Sequence, residues 1–416
     1  MKRVVKDSFS GLPREFWWLW VATFINSLGG FVGIFLALYL TSGLGYSASF
    51  TGFVGSLYGG GAVVASILGG FLADRIGRTR TILAAQLATS VSILTLGFAD
   101  SAAVIAVMAF IVGVSGAASR PAIGATIADL VEGPERQKAY SLNYWAGNLG
   151  FGISAAVVGM VAAYGYLPLF ILEATATFAC AILVYMKVPE TGLKPNRERS
   201  QDSRFFSGYA SVCRDWTFMG IVGMTFLMSL LFQQAVTSLP ITMGIKGFSS
   251  ADYGMVISLN GLMIVLLQVL LSRAVKSARP SRVLAASALL CGYGLAVVAV
   301  ASSLPFYFAA VAILTLGEII FAPVIMALIS QLAPAAARGR YQGVFQLAFS
   351  GAALAAPISG GYVIDHFGVN VIWIICGALG TVAAIGYTAL GRAAAQRADE
   401  SESADETTGL ASAASR

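Results

Sequence analysis

The sequence predicts an all-α membrane protein: twelve transmembrane helices in two pseudo-symmetric six-helix bundles. Three observations carry that expectation. The chain has 416 residues, of which 57% are hydrophobic and only 11% charged, whereas about a quarter of a soluble domain is charged. Twelve apolar stretches each reach the roughly 20 residues that a helix needs to cross the hydrocarbon layer. The basic residues also collect on one side when those stretches are threaded back and forth across a bilayer.

The stretches run, in order, over 16–40, 49–73, 81–99, 102–130, 139–163, 167–187, 216–243, 251–272, 282–302, 305–332, 340–364 and 370–391. The first exceeds the roughly 7–15-residue core of a cleavable signal and reads as an anchored helix. Trp17, Trp18 and Trp20 at its start suit the headgroup layer, which favours indole rings. The second and third flank a basic loop with Arg75, Arg78 and Arg80. The fourth holds Arg120 and Pro121. Between the sixth and seventh lies a polar stretch of mixed charge. The expected organisation is therefore a bundle over 1–188, a cytoplasmic linker over 189–214, a second bundle over 215–392 and a disordered cytoplasmic tail over 393–416, rich in Ala, Ser and acidic residues.

Twelve crossings put both termini on one side. With that side cytoplasmic, all but two of the 26 basic residues lie inside; the exceptions are Lys246, outside, and Arg120, within a span. A different helix count would scramble the pattern. The halves also echo one another: Pro121, Leu130, Arg136 and Gly159 recur at one constant offset as Pro323, Leu332, Arg338 and Gly361. Parallel repeats related by an axis along the membrane normal are one architecture of secondary transporters.

Other chemistries have little to work with. The net charge of +6 is explained by topology, so no nucleic-acid partner is expected. The four cysteines are scattered, with Cys180, Cys291 and Cys376 inside apolar stretches, and imply no disulfide framework. The lone histidine, His366, is placed in a loop beside Asp365, which offers neither a metal cluster nor a hydrolytic triad. No phosphate-binding G-x-x-x-x-G-K-[ST] loop occurs. No enzyme, metal or cofactor is expected.

Between the second and third stretches the chain reads Gly70-Phe-Leu-Ala-Asp74-Arg75-Ile-Gly77-Arg78-Thr79-Arg80. This resembles the signature loop of the major facilitator superfamily, G-x-x-x-D-R-x-G-R-R, with Thr79 where a basic residue is common. Gly70 would let helices approach and Gly77 would permit a tight turn. Asp74 would meet a basic residue or a helix N-terminus. The resemblance implies that Gly70, Asp74, Arg75, Gly77, Arg78 and Arg80 form a loop whose pairing biases inward- against outward-facing states. It also implies the superfamily fold around a central cavity, transport by alternating access, and an inner-membrane location.

Within the superfamily two resemblances compete. Gly150-Phe-Gly-Ile-Ser154-Ala155-Ala-Val-Val158-Gly159 is similar to the fifth-helix motif of drug–proton antiporters, without its proline. Gly317-Glu318-Ile-Ile-Phe-Ala-Pro323 is similar to the tenth helix of both drug exporters and proton-coupled peptide transporters, but the E-x-x-E-R motif of the latter is missing from the first stretch. Proton-coupled export of small amphipathic molecules is the first expectation and proton-coupled uptake of peptides or similar nutrients the second. A transporter-derived sensor or lipid-handling protein is the third.

An ionisable group at mid-membrane is costly and marks a functional site. Glu318 would carry a proton or meet a cationic substrate. Arg120 would bind an anionic group, pair with Glu318, or snorkel to the cytoplasm. Glu173 would couple protons or hold a structural hydrogen bond. Asp129 would pair with loop residues such as Arg136. Asn26, Asn148, Gln233, Gln234 and Asn260 are the uncharged polar candidates for the cavity. Tyr144 and Trp145 offer aromatic faces suited to lipophilic cations. The expected partners are a small-molecule substrate, protons and the lipid bilayer, with the chain acting as a monomer.

Overall fold

A computed structural model describes residues 11–131, 135–162, 165–191, 212–275, 278–333 and 338–391. Most of the expected linker over 189–214 and all of the expected tail over 393–416 lie outside the described residues. No strand occurs among the described residues. The long helices are α1 (Arg14–Leu28), α2 (Phe31–Leu38), α3 (Ala48–Ile76), α4 (Arg78–Gly97), α5 (Ala102–Leu130), α6 (Glu135–Val161), α7 (Leu167–Lys187), α8 (Trp216–Ile245), α9 (Ser250–Ala274), α10 (Pro280–Ala296), α11 (Leu304–Leu332), α12 (Arg338–Phe367) and α13 (Val371–Gly391).

Among the described residues each apolar stretch falls mainly on helix, and ten of the helices are long and apolar enough to cross a membrane. The two remaining stretches differ from the expectation in instructive ways. The first is not one continuous helix: it breaks at Gly29–Gly30 into α1 and α2, and α2 runs on into a π-helical turn over Tyr39–Gly43. The fifth corresponds to α6, whose first turns carry Glu135, Arg136 and Lys138. His366, placed by sequence in a loop, lies instead in the last turn of α12, with Nδ1 3.0 Å from the Tyr362 carbonyl oxygen.

Apolar side chains point outward along the helices, Val91, Phe178, Leu266 and Ile374 among them. A lipid phase accepts such a surface and water does not. Several hydroxyl side chains within the helices are satisfied by their own backbone. Thr89, Thr126, Thr225 and Thr315 each donate to the carbonyl four residues earlier, which removes the need for a water partner. Pro121, Pro240, Pro323 and Pro357 stand inside long helices, where each deletes one backbone donor.

Glycine sets the closest approaches. A Cβ on Gly113 of α5 would lie 2.0 Å from the Tyr58 carbonyl oxygen of α3, and one on Gly61 of α3 would lie 2.3 Å from the Phe110 carbonyl oxygen of α5. These two backbones can touch only because both positions lack a side chain.

Contacts divide the chain into two compact units. The first takes α1 to α7 together with 234–265 and 353–369; the second takes 212–233, 266–352 and 370–391 among its described residues. Within the first unit two apolar clusters form. One joins Val32, Leu36 and Leu40 to Val54, Ile93, Ile105 and Phe170. The other joins Phe16, Leu19 and Ala22 to Ile82, Ala122, Ile127 and Val184. The first cluster holds α2 and the second holds α1, so the helix break lies between them. Within the second unit α10 and α11 are tied by Ser287, whose hydroxyl donates to the Gly317 carbonyl at 2.7 Å. Cys180, Cys213, Cys291 and Cys376 are free thiols, and all but Cys213 are buried.

Candidate functional site

The break between α1 and α2 is built from backbone geometry. Gly29 sits at φ −85°, ψ −4° and its N–H donates to the Ile25 carbonyl at 2.9 Å. Gly30 sits at φ −73°, ψ 61°, and the Phe31 N–H donates back to the Gly29 carbonyl at 2.8 Å. The Gly30 values are those of the central residue of an inverse γ-turn, which interrupts the helical bonding. The Gly29 backbone passes close to α7, where a Cβ would lie 3.2 Å from Ala176 Cβ.

A break inside a span leaves the first N–H groups of the new helix without carbonyl partners, which hydrocarbon penalises heavily. Glu173 of α7 supplies the partner. Its Oε2 accepts from Phe31 N at 2.9 Å and from Val32 N at 2.7 Å, and the residue is only 7% exposed. In its ionised form the carboxylate would also face the positive end of the α2 dipole. Two further residues of the same α7 face reach α1: Thr177 donates to Asn26 Oδ1 at 3.3 Å, and Cys180 Sγ lies 3.4 Å from the Ala22 carbonyl oxygen. The spacing 173, 177, 180 is one helical stripe. Tyr58 of α3 packs against the apolar cluster that holds Val32 of α2 and Phe170 of α7.

The other expected site residues are distributed as follows. Arg120 is exposed on α5, beside Pro121. Asn148 is half-buried and donates through Nδ2 to the Tyr144 carbonyl of its own helix at 3.0 Å. Tyr144 and Trp145 are exposed on α6. Trp145 stacks on Trp20 of α1 at 6.3 Å and 22°, and Trp20 stacks in turn on Phe24 at 5.9 Å and 11°. Trp20 is held by its Nε1–H, which donates to the Leu142 carbonyl at 2.9 Å.

Gln234 is buried and its amide donates to the Ala356 carbonyl at 3.0 Å, while its oxygen accepts from Ser238. It ties α8 to α12 within the first unit. Gln233, Asn260 and Glu318 are half-buried on α8, α9 and α11. In the second unit Glu318 follows Gly317, whose carbonyl accepts from Ser287 of α10.

The signature loop is a compact joint between α3 and α4. Gly77 adopts φ 102°, a conformation reserved for glycine, and serves both as the end of α3 and the start of α4. Glu190, three residues past the end of α7, caps α4: its carboxylate accepts from Arg78 N at 2.6 Å, Thr79 N at 3.1 Å and Arg80 N at 3.1 Å. Thr79 is buried and its hydroxyl donates to the Pro189 carbonyl at 3.1 Å. A basic residue at that position in this chain would bring a charge into a buried site.

The Arg78 guanidinium pairs with Asp129 of α5 at 3.1 Å. Asp129 thus meets a loop residue, as expected, but the residue is Arg78 and not Arg136. Arg136 instead donates to the Val131 and Ala128 carbonyls at 3.0 and 2.9 Å, satisfying the free end of α5. Arg75 and Arg80 are exposed. Gly70 and Asp74 lie within α3, and the burial of both positions lies outside what is described.

A third carboxylate plays the same part at the other end of α3. Asp365 of α12 accepts from Ala48 N at 3.3 Å and Ser49 N at 2.6 Å. Below it α12 lies directly on α3, since a Cβ on Gly52 would meet the Pro357 carbonyl oxygen at 2.2 Å and one on Gly59 the Ala353 carbonyl oxygen at 2.2 Å. Glu190, Asp365 and Tyr58 were not singled out by sequence. An acidic residue just beyond a span, as in Pro189-Glu190, is the available signal for the first. The Gly29-Gly30 pair inside a long apolar run is the signal for the break.

A family profile described as Major Facilitator Superfamily matches residues 19–276 and again 223–415. The uncharacterized MFS-type transporter YttB of Bacillus subtilis (strain 168) is 28% identical, across 87% of this chain and 91% of its own length. The multidrug resistance protein MdtH of Aeromonas salmonicida (strain A449) is 24% identical across 88% and 92%. The Na(+), Li(+), K(+)/H(+) antiporter of Planococcus maritimus is 25% identical across 81% and 86%.

Among solved structures, a POT family transporter in complex with 5-aminolevulinic acid superimposes with a TM-score of 0.78 at 16% identity, covering 93% of this chain and 98% of that one. The nucleoside transporter NupG gives 0.76 at 13% identity, covering 91% and 99%. At those identities the structures speak for the fold alone. With both halves matched by the profile, and the signature loop folded as a joint between two helices, this chain belongs to the major facilitator superfamily.

Proposed function

We propose that this transporter is a proton-coupled exporter of small amphipathic molecules, drugs included, working by alternating access. It acts as a monomer in the inner membrane with both termini in the cytoplasm. The observation that carries the reading is Glu173: a carboxyl enclosed by protein within a span, accepting from two backbone N–H groups of a broken helix. A carboxyl within a span is a candidate functional group by default, and proton relays are among the roles such groups play. The multidrug and cation/proton names of relatives across most of the chain favour antiport over uptake. Glu318 and Arg120 are the charged candidates for contact with substrate. Asn26, Asn148, Gln233, Gln234 and Asn260 supply polar groups, and Tyr144 and Trp145 an aromatic surface. The loop from Gly70 to Arg80 biases the two access states.

The test follows internal pH in sealed proteoliposomes while lipophilic cations or dipeptides are added outside, with wild type, Glu173→Gln and Glu318→Gln compared. Proton movement opposite to a cation, lost in either variant, supports the exporter. Proton entry together with a dipeptide overturns export in favour of peptide uptake. A response to neither class overturns proton-coupled transport of both.

A further inference from the structure

We infer that the Glu173 carboxyl is a proton-binding site whose occupancy decides whether the first membrane segment is broken into α1 and α2 or runs as one helix. The inference rests on the proton-coupled reading above and supplies its molecular step.

An unbroken helix through this segment would bond Phe31 N to the Ser27 carbonyl and Val32 N to the Leu28 carbonyl, each four residues back. In the structure the Ser27 carbonyl takes Gly30 N at 3.3 Å, Phe31 N turns to Gly29 and Glu173, and Val32 N bonds Glu173 at 2.7 Å. One carboxylate oxygen thus stands in for two backbone acceptors. An ionised carboxylate suits that place, because charge-assisted hydrogen bonds are about twice as strong as neutral ones and the α2 dipole favours an anion.

A bound proton changes both terms. It removes the charge at the helix end, and it turns one carboxyl oxygen into a hydroxyl that must donate. The two N–H groups then regain their best partners by closing the break onto the carbonyls four residues back. The inverse γ-turn needs no left-handed backbone, since Gly30 sits at φ −73°. Closure is therefore chiefly a rotation of the Gly30 ψ, with a smaller one at Gly29, whose ψ is −4°, toward helical values.

The surroundings direct the motion into α2. Below the break, α1 is fixed to α7 by the hydrogen bonds of Thr177 and Cys180. Beyond the break, Phe35 of α2 packs edge-on against Tyr253 of α9 at 5.3 Å, and a Cβ on Gly244 of α8 would meet Ser42 Oγ at 2.9 Å. A change in the direction of α2 therefore acts on segments that the sequence assigns to the other half. The charged and titratable groups around Glu173 are Tyr58 from α3, on which Arg120 of α5 also acts, and Cys180 on α7 itself. Helix α4 presents Ser90, bonded to the Ala174 carbonyl at 2.7 Å, and α1 presents Asn26; neither titrates.

The test uses the full chain in lipid nanodiscs, without substrate or gradient. Hydrogen exchange is read over peptides spanning the break across a pH series, normalised to a span without carboxyls, and infrared difference spectra follow the carboxylic-acid band. Wild type should show exchange at the break that changes with pH in step with an acid band, and Glu173→Gln should lose both the band and the pH dependence. Gly30→Ala leaves the carboxyl in place and favours unbroken helix by about fivefold, from the difference of about 1 kcal/mol in helix propensity. Linkage requires that at one fixed pH it also strengthen the acid band.

Exchange that does not follow pH in wild type, or an acid band unchanged in Gly30→Ala, overturns the inference. If Glu173→Gln fails to fold, the Gly30→Ala comparison decides alone. Because no transport is measured, a linked titration without proton-driven export would leave the latch and remove the exporter, and the reverse result would do the opposite.

Discussion

Replacing Gly113 with alanine adds one methyl group where α5 crosses α3. The added Cβ would stand 2.0 Å from the Tyr58 carbonyl oxygen, and real Cβ atoms essentially never come under 3.0 Å. The obstacle is backbone, so the helices must separate. Overpacking of this kind typically costs about 1–3 kcal/mol. Against it stands a gain of about 0.8–1 kcal/mol, since alanine is the better helix former.

The same helix supplies the control: a Cβ on Gly124 meets nothing within 4 Å, so Gly124→Ala keeps the gain and has no clash. The propensity term cancels between the two variants, leaving a difference of about 1–3 kcal/mol that is the steric cost alone. Both would be purified in one detergent and their thermal and denaturant midpoints compared with wild type. Gly124→Ala should match or exceed wild type, and Gly113→Ala should fall below it. Equal midpoints for the two variants would show that α3 and α5 are not held at backbone contact. Gly116, whose Cβ would meet only Thr89 at 3.9 Å, should behave like Gly124.

Three further outcomes follow from the carboxylates at helix ends. Glu190→Ala removes the acceptor for three N–H groups of α4 and should destabilise by about 0.5–2 kcal/mol. Glu190→Gln should recover about half of that loss, read as the denaturant midpoint. Arg78→Met and Asp129→Asn break a pair at 3.1 Å whose side chains are 14% and 31% exposed. A double-mutant cycle on the same midpoint should give a coupling of at least about 0.5 kcal/mol, and additive losses would show that the pair does not interact. Asp365→Asn keeps acceptors for Ala48 N and Ser49 N but removes the charge at the start of α3. It should lower the midpoint by about 0.3–1 kcal/mol at low salt and by less at high salt.

The lipid-spanning character of the chain was legible because it depends on composition over long windows. With 57% hydrophobic residues, stretches of span length leave few choices, and among the described residues each one lands mainly on helix. The signature loop was legible for a similar reason, because Gly77 at φ 102° is a local demand that a sequence must meet with glycine. The partner of Asp129 was not. Arg78 and Arg136 are both near in sequence or in topology, and only the packing of α3 and α4 on α5 brings Arg78 to 3.1 Å while the α5 carbonyls claim Arg136.

What the sequence determined by itself is therefore the part governed by the solvent: helices of membrane length, their superfamily, and the short list of charges that hydrocarbon would not tolerate without a reason. What only the tertiary structure decided is how each of those charges is satisfied. Glu173 could equally have faced a cavity, a cation or another side chain. It caps α2 because Gly29 and Gly30 break the first segment opposite it on α7, 142 residues away along the chain from Phe31. Sequence patterns report the period of one helix, whereas a hydrogen bond between helices depends on the rotation and depth of both, which are fixed by packing.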